Sequence, residues 1–172
     1  ADTKVNVIDT IAPTVTACTS ITADGSYNLD DTINITATTS EAIVLGNTRT
    51  LRLDKSGTIV VTAADEGTTL VGTYIIAAGD TSTDLTVNSF TIGTVTDAAG
   101  NAMSSTTVPA ENNIADTKAI VIDTTAPTVT AFTSTTADGS YNLDDTINIT
   151  ATTSEAIVSG NTLTVTLDTG DT

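Results

Sequence analysis

The sequence contains no histidine, no tryptophan and no glutamine, and a single cysteine. Without histidine, a Ser-His-Asp or Cys-His catalytic arrangement and a His-ligated zinc site are excluded. Without glutamine, a Thr–Gln ester cross-link is excluded. One cysteine, Cys18, leaves no internal disulfide. Aromatic rings are scarce: Tyr27, Tyr74, Tyr141, Phe90 and Phe132 are the whole set, too few for a sugar-stacking platform. The core must therefore be built from Val, Ile, Leu and Ala. Basic residues number 5 against 21 acidic ones, a net charge of -16. Such a surface repels nucleic acid and anionic lipid. No apolar run approaches the roughly 18 residues of a transmembrane helix, so no membrane insertion is expected. No glycine-rich phosphate loop precedes a helix. The adjacent pair Asp30 and Asp31 does not suit acid–base catalysis. Neighbours on a strand point to opposite faces, whereas glycosidase carboxylates must confront each other across a substrate. The chain reads as non-enzymatic.

What the chain has in excess is threonine, 42 of 172 residues. Thr, Val and Ile are stiff at χ1 and favour pleated, half-buried surfaces, so strands are expected and long helices are not. The second dominant feature is an internal repeat. Residues 1–58 match residues 115–172 without a gap, with 46 of 58 positions identical at a period of 114. The run from Thr22 to Val44 recurs unchanged as Thr136 to Val158. A period this long exceeds the roughly 20–50 residues of a solenoid coil and suits an independent sandwich domain of about 100 residues. The organisation read from this is the end of a preceding repeat and linker (1–9), a complete domain (10–123) and the N-terminal half of a second (124–172). The repeat phase predicts a parent protein that continues in both directions. Cys18 is matched by Phe132, so that site is read as apolar packing rather than a reactive thiol.

Alternation and turn residues place seven strands in the complete domain. They lie near 13–19, 31–38, 48–54, 58–63, 69–77, within 84–96, and near 117–122. Ile33, Ile35 and Ala37 share one face of the second strand. Turns are marked by Ala23-Asp24-Gly25-Ser26, Gly46-Asn47, Lys55-Ser56-Gly57, Ala78-Gly79-Asp80 and Asp97-Ala98-Ala99-Gly100-Asn101. Seven short strands with regular turns predict an all-β fold, an immunoglobulin-like Greek-key β-sandwich repeated in tandem. In the second repeat only three strands are available, so Ile147, Ile149 and Val165 are expected to be partly exposed unless other strands complete the unit. Lys4 and Lys118 are the only lysines placed for a Lys–Asn isopeptide, and a solvent-facing role suits them better.

Four motifs carry a more specific likeness: Ile122-Asp-Thr-Thr-Ala-Pro-Thr-Val129, the turn at 97–101, the run Gly25 to Ile33, and Thr39-Ser-Glu-Ala-Ile43. Together, and in this order, they resemble the bacterial immunoglobulin-like repeats of giant surface adhesins and biofilm proteins. The resemblance implies an extracellular or cell-surface location, tandem arrays and Ca²⁺ at domain junctions. It makes the chain a spacer or shaft whose partners are neighbouring repeats of the same chain and other copies in a filament or lattice. The alternatives are an S-layer or sheath subunit, and a non-catalytic module of a secreted enzyme.

Strand alternation then sorts the acidic residues between two poles. Linker Asp9, Glu41 after the second strand, and Asp97 and Asn101 after the sixth fall at the N-terminal pole. Asp24, Asp30 and Asp31, with Asp80 and Asp84, fall at the opposite pole, toward linker Asp123 and Glu155 of the second repeat. Ca²⁺ requires about six to eight oxygens and tolerates irregular geometry, which these loops supply. The competing reading is that Asp and Asn simply suit turns and cap their own backbone. Asp9, Glu41, Asp97, Asn101, Asp123, Glu155, Asp24, Asp30 and Asp31 are thus the expected Ca²⁺ ligands.

Overall fold

A computed structural model describes residues 7–54, 57–91 and 93–168. Lys4, Lys55 and Ser56, named above for a cross-link and a turn, lie outside the described residues. The chain divides into two compact units, Ala1–Thr124 and Thr125–Thr172.

Unit 1 is built on a six-stranded antiparallel sheet. Its strands are β1 (Val15–Thr19), β3 (Thr32–Thr39), β4 (Thr48–Leu53), β5 (Thr58–Thr62), β6 (Thr69–Ile75) and β8 (Val87–Phe90). Their spatial order is β1-β3-β6-β5-β4-β8. The longest pairing sets Thr32 to Thr38 of β3 against Ile75 to Thr69 of β6. A smaller sheet has the order β2-β9-β7, from β2 (Gly25–Tyr27), β7 (Thr81–Ser82) and β9 (Ile120–Asp123). One hydrophobic cluster is shared by both sheets: Ile33, Ile35 and Leu70 from the larger join Ile120 and Ile122 from the smaller. The fold is therefore all-β and sandwich-like, as the composition predicts.

The period-2 pattern explains the layering. In β3 the buried positions are Ile33, Ile35, Ala37 and Thr39, and the intervening residues face outward. In β4 the same parity buries Arg49 with Leu51 and Leu53. Arg49 is 1 % exposed. Its guanidinium lies over the Phe90 ring at 5.1 Å, donates to the Ser105 carbonyl at 2.5 Å and meets Met103 Sδ. Its Nε is buried with no hydrogen-bond partner. The repeat places Leu163 at the matching position. Near it lies the buried Cys18 thiol, pushed up to about 12 by burial, with the Arg49 charge opposing. A thiol held that high is inert.

Three features depart from the sequence expectation. Gly25-Ser26, read as part of a turn, belongs to β2, which pairs in parallel with β9 over Gly25↔Ile120 to Tyr27↔Ile122. The last strand starts later than expected because a single helical turn, α1 (Ile114–Thr117), precedes it. Asn113 caps that turn and Asp116 returns the bond, a capping box. Finally, an immunoglobulin domain would divide these strands between two sheets. Here β4 pairs with both β5 and β8, which joins them in one.

Unit 2 holds one antiparallel pair, β10 (Val129–Thr133) with β11 (Thr150–Thr153). It reproduces the pairing of β1 with β3, including the irregularity near the start of the first strand. Phe132, Ile147 and Ile149 are 55 %, 52 % and 43 % exposed. Among the described residues no helix is long and apolar enough to cross a membrane.

Candidate metal centre at one pole of unit 1

Every strand pair of the large sheet is antiparallel, so β1, β6 and β4 run one way and β3, β5 and β8 the other. The chain entering β1, the segment leaving β3 and the loop following β8 consequently meet at one end. Each segment is tied down by its own hydrogen bonds. The Thr14 amide donates to Ser40 Oγ at 3.0 Å, and the Ser40 amide to the Thr14 carbonyl at 2.9 Å. Thr39 Oγ1 donates to the Glu41 carbonyl at 2.7 Å. The Val44 amide and Asn47 Nδ2 both donate to the Thr96 carbonyl, at 3.0 and 2.9 Å.

The loop after β8 is a tight turn bridged by Thr96 and Ala102. Gly100 takes φ +92°, a left-handed conformation that favours glycine. The Asp97 side chain organises this turn. It accepts from the Asn101 amide and from Asn101 Nδ2, each at 2.8 Å. Asn101 Nδ2 also donates to the Asp9 carbonyl at 3.1 Å, which fastens the incoming segment to the turn. The Asp9 carboxylate caps the Ile11 amide at 3.0 Å.

The result is a cluster of three carboxylates, Asp9, Glu41 and Asp97, with one oxygen of each lying within 4.8 Å of the others. The electrostatics divide the group. Burial raises the Glu41 carboxyl above its ordinary value, and the negative charges of Asp9 and Asp97 raise it further. Burial also pushes Asp97 upward, but hydrogen bonds from the Asn101 side chain and from the backbone of residues 99–101 outweigh it, and its pKa is lowered. Asp97 is thus held ionised beside a Glu41 that resists ionisation. Glu41 Oε1 is buried with no hydrogen-bond partner, an arrangement that costs desolvation without compensation. A hard cation such as Ca²⁺ fits this all-oxygen donor set and supplies the missing partner.

The other expected ligands have different surroundings. Asn101 donates its side-chain amide to the Asp97 carboxylate and to the Asp9 backbone carbonyl, so its nitrogen positions the cluster. Asp24 accepts from the Ala119 amide at 3.2 Å, and Asp31 from the Asn28 amide at 2.8 Å. Asp30 adopts φ +67° in the same turn. Asp80 accepts from the Ala77 amide at 2.8 Å and from the Tyr74 hydroxyl. Asp31 and Asp80 cap turns, Asp24 holds the segment before β9, and no second cluster of three acidic groups forms among the described residues. Asp123 closes β9 opposite Thr81 in unit 1. Glu155 lies in unit 2, where its carbonyl accepts from Thr153 Oγ1 at 2.7 Å and its Oε1 is buried without a partner, as in Glu41. Sequence reasoning does not mark the clamps made by Ser40 and Asn47 as functional, although Ser40 lies in the Thr39–Ile43 motif and Asn47 in the Gly46-Asn47 turn.

Comparison of the chain with protein-family models, with curated proteins and with solved structures returns no match.

Proposed function

We propose that this chain is a non-catalytic, immunoglobulin-like repeat segment of a large extracellular bacterial surface protein. In this reading it is a shaft or spacer whose domains are stiffened by Ca²⁺. The observation that carries the reading is the convergence of Asp9, Glu41 and Asp97, which come from three distant parts of the sequence. Asp9 belongs to the segment entering unit 1, while Glu41 and Asp97 belong to its body. An ion held by all three fixes that segment against the pole and converts a pivot into a stiff joint. It also cancels the mutual repulsion that raises Glu41. The period of 114 carries Asp9 onto Asp123 and Glu41 onto Glu155, so two of the three ligand positions recur in the second repeat. Near-identical repeats suit a length-setting role.

A ligand that binds only the folded state stabilises it by about 2.7 kcal/mol at a hundredfold excess over its dissociation constant. The melting temperature of unit 1 should therefore rise when millimolar CaCl₂ is added to chelator-treated protein. Asp97→Ala should abolish the rise. An equal rise in the variant would place the ion elsewhere.

A further inference from the structure

The acidic residues of this chain are segregated. None of the six strands of the large sheet contains an Asp or Glu, although the chain carries 21. The face of that sheet turned away from the core is a grid of Thr, Val and Ile. One row runs Thr36, Val71, Thr62 across adjacent strands. Val60, Val71 and Ile75 on this face are 56 %, 38 % and 61 % exposed. Arg52 is the only charged side chain on it. Among the described residues, acidic charge lies in the loops, at strand ends and in the α1 turn.

For a protein of net charge -16, side-by-side approach is opposed everywhere that carboxylates line the surface. The six strands present no carboxylate on their outer face, so two copies meet there without that repulsion. Its side chains are mostly short or β-branched, and these lose little rotamer entropy on contact. We propose that this face is a lateral self-association surface, on which a second copy of the chain packs sheet to sheet about a two-fold axis. Six strands about 4.8 Å apart and about five residues of about 3.3 Å each give a face of roughly 500 Å². Two such faces bury roughly 1,000 Å², the low end for specific interfaces, so a single contact is weak. Tandem repetition compensates, because linked copies engage together and avidity multiplies weak contacts. The outward positions of Thr32–Thr39 recur unchanged in the sequence of Thr146–Thr153, of which Thr150–Thr153 is strand in unit 2. This surface is separate from the carboxylate cluster and operates with or without metal.

Sedimentation equilibrium of the 1–172 chain, in chelator and at physiological salt, tests the proposal. The mass should rise from 17.4 kDa toward twice that value as the concentration approaches millimolar. Val71→Glu should weaken the association at least roughly tenfold, because each copy then brings an uncompensated charge into the contact. Circular dichroism checks that the variant is folded, and Val60→Glu, at a more exposed position, serves in its place if it is not. Ile149→Glu, on the exposed apolar side of unit 2, should leave the association constant unchanged. A chain that stays monomeric throughout, or an association lost in Ile149→Glu but retained in Val71→Glu, overturns the proposal. Because metal is absent, failure here leaves the reading of the carboxylate cluster untouched, and the reverse holds.

Discussion

Unit 2 repeats residues 11–58 of unit 1 almost unchanged, yet the described parts of the two segments fold differently. The sequence Thr-Ile-Asn-Ile-Thr-Ala-Thr-Thr forms an eight-residue strand at Thr32–Thr39 but pairs over only four residues, Thr150–Thr153, in its second occurrence. Ile33 and Ile35 are fully buried, while Ile147 and Ile149 are about half exposed. The residues matching β4 form no strand. Local geometry nevertheless survives the change. Asp30 and Asp144 take φ +67° and +73°, and Gly46 and Gly160 take +80° and +90°. Asn28 donates its amide to Asp31, and Asn142 to Asp145, at 2.8 and 2.7 Å. Turns are thus written in a few adjacent residues, whereas strands need partners. In unit 1 those partners are β6 and, in the small sheet, β7 and β9, all contributed by residues 59–123, for which unit 2 has no counterpart within the 172 residues.

The largest effect expected from this comparison lies in amide hydrogen exchange. Core amides of β3 and β6 should exchange orders of magnitude more slowly than those of 146–153, since protection tracks the free energy of opening. A chain carrying a second copy of 59–123 after residue 172 should bring 146–153 to the protection of 32–39. If residues 125–168 are already as protected as unit 1 in the 1–172 chain, the burial contrast does not govern stability.

Core truncation should separate the units next. Ile35→Ala empties a site with 0 % exposure, and such changes cost about 2–5 kcal/mol. Ile149→Ala, its counterpart by the repeat, should change the unfolding free energy of unit 1 by less than about 0.5 kcal/mol. Equal effects would contradict the account.

A smaller effect concerns the two core positions at which the repeats differ together. Cys18 and Arg49 in unit 1 correspond to Phe132 and Leu163 in unit 2. A small thiol leaves room for a long, partly unsatisfied guanidinium, and a shorter Leu leaves room for a ring. Cys18→Phe alone should overpack the core and cost about 1–3 kcal/mol. Adding Arg49→Leu should recover at least about 1 kcal/mol of that loss in a double-mutant cycle. Strict additivity would show that the two sites are independent.

The smallest effect is electrostatic and confined to the pole. Asp97 has a lowered folded pKa, so its contribution is present above its ordinary value of 3.8 and is lost as pH falls through the folded value, below 3.8. Glu41 has a raised one, so its contribution is full below its ordinary value of 4.5 and is lost as pH rises through the folded value, above 4.5. Metal-free Glu41→Gln should therefore melt higher than the parent at neutral pH, and the difference should vanish near pH 4. A lower melting temperature for the variant in chelator would mean that Glu41 is stabilised by partners other than a cation.

Much of this organisation is legible in the residues. Ile33, Ile35 and Ala37 announce their shared face, and alternating strand direction is enough to bring Asp9, Glu41 and Asp97 to one pole. The same argument could not gather Asp24, Asp30 and Asp31 into a cluster, because a pole assignment says nothing of what each carboxylate caps. The pairing of Gly25–Tyr27 with Ile120–Ile122 was hidden, since neither segment's pattern specifies a partner so distant in sequence. The α1 turn was visible in principle through Asn113 and Asp116, spaced as a capping box. Arg49 was likewise visible through its parity with Leu51 and Leu53, which outweighs the ordinary preference of arginine for solvent.

Calorimetric titration of metal-stripped 1–172 with CaCl₂ tests the central claim most directly. The account predicts a saturable heat at millimolar Ca²⁺ or below that is lost in Asp97→Ala, with Asp24→Ala and Asp31→Ala retaining it. No heat in the parent chain, together with an unchanged melting curve, would contradict it and leave the three carboxylates as a repulsive cluster held together by turn geometry alone.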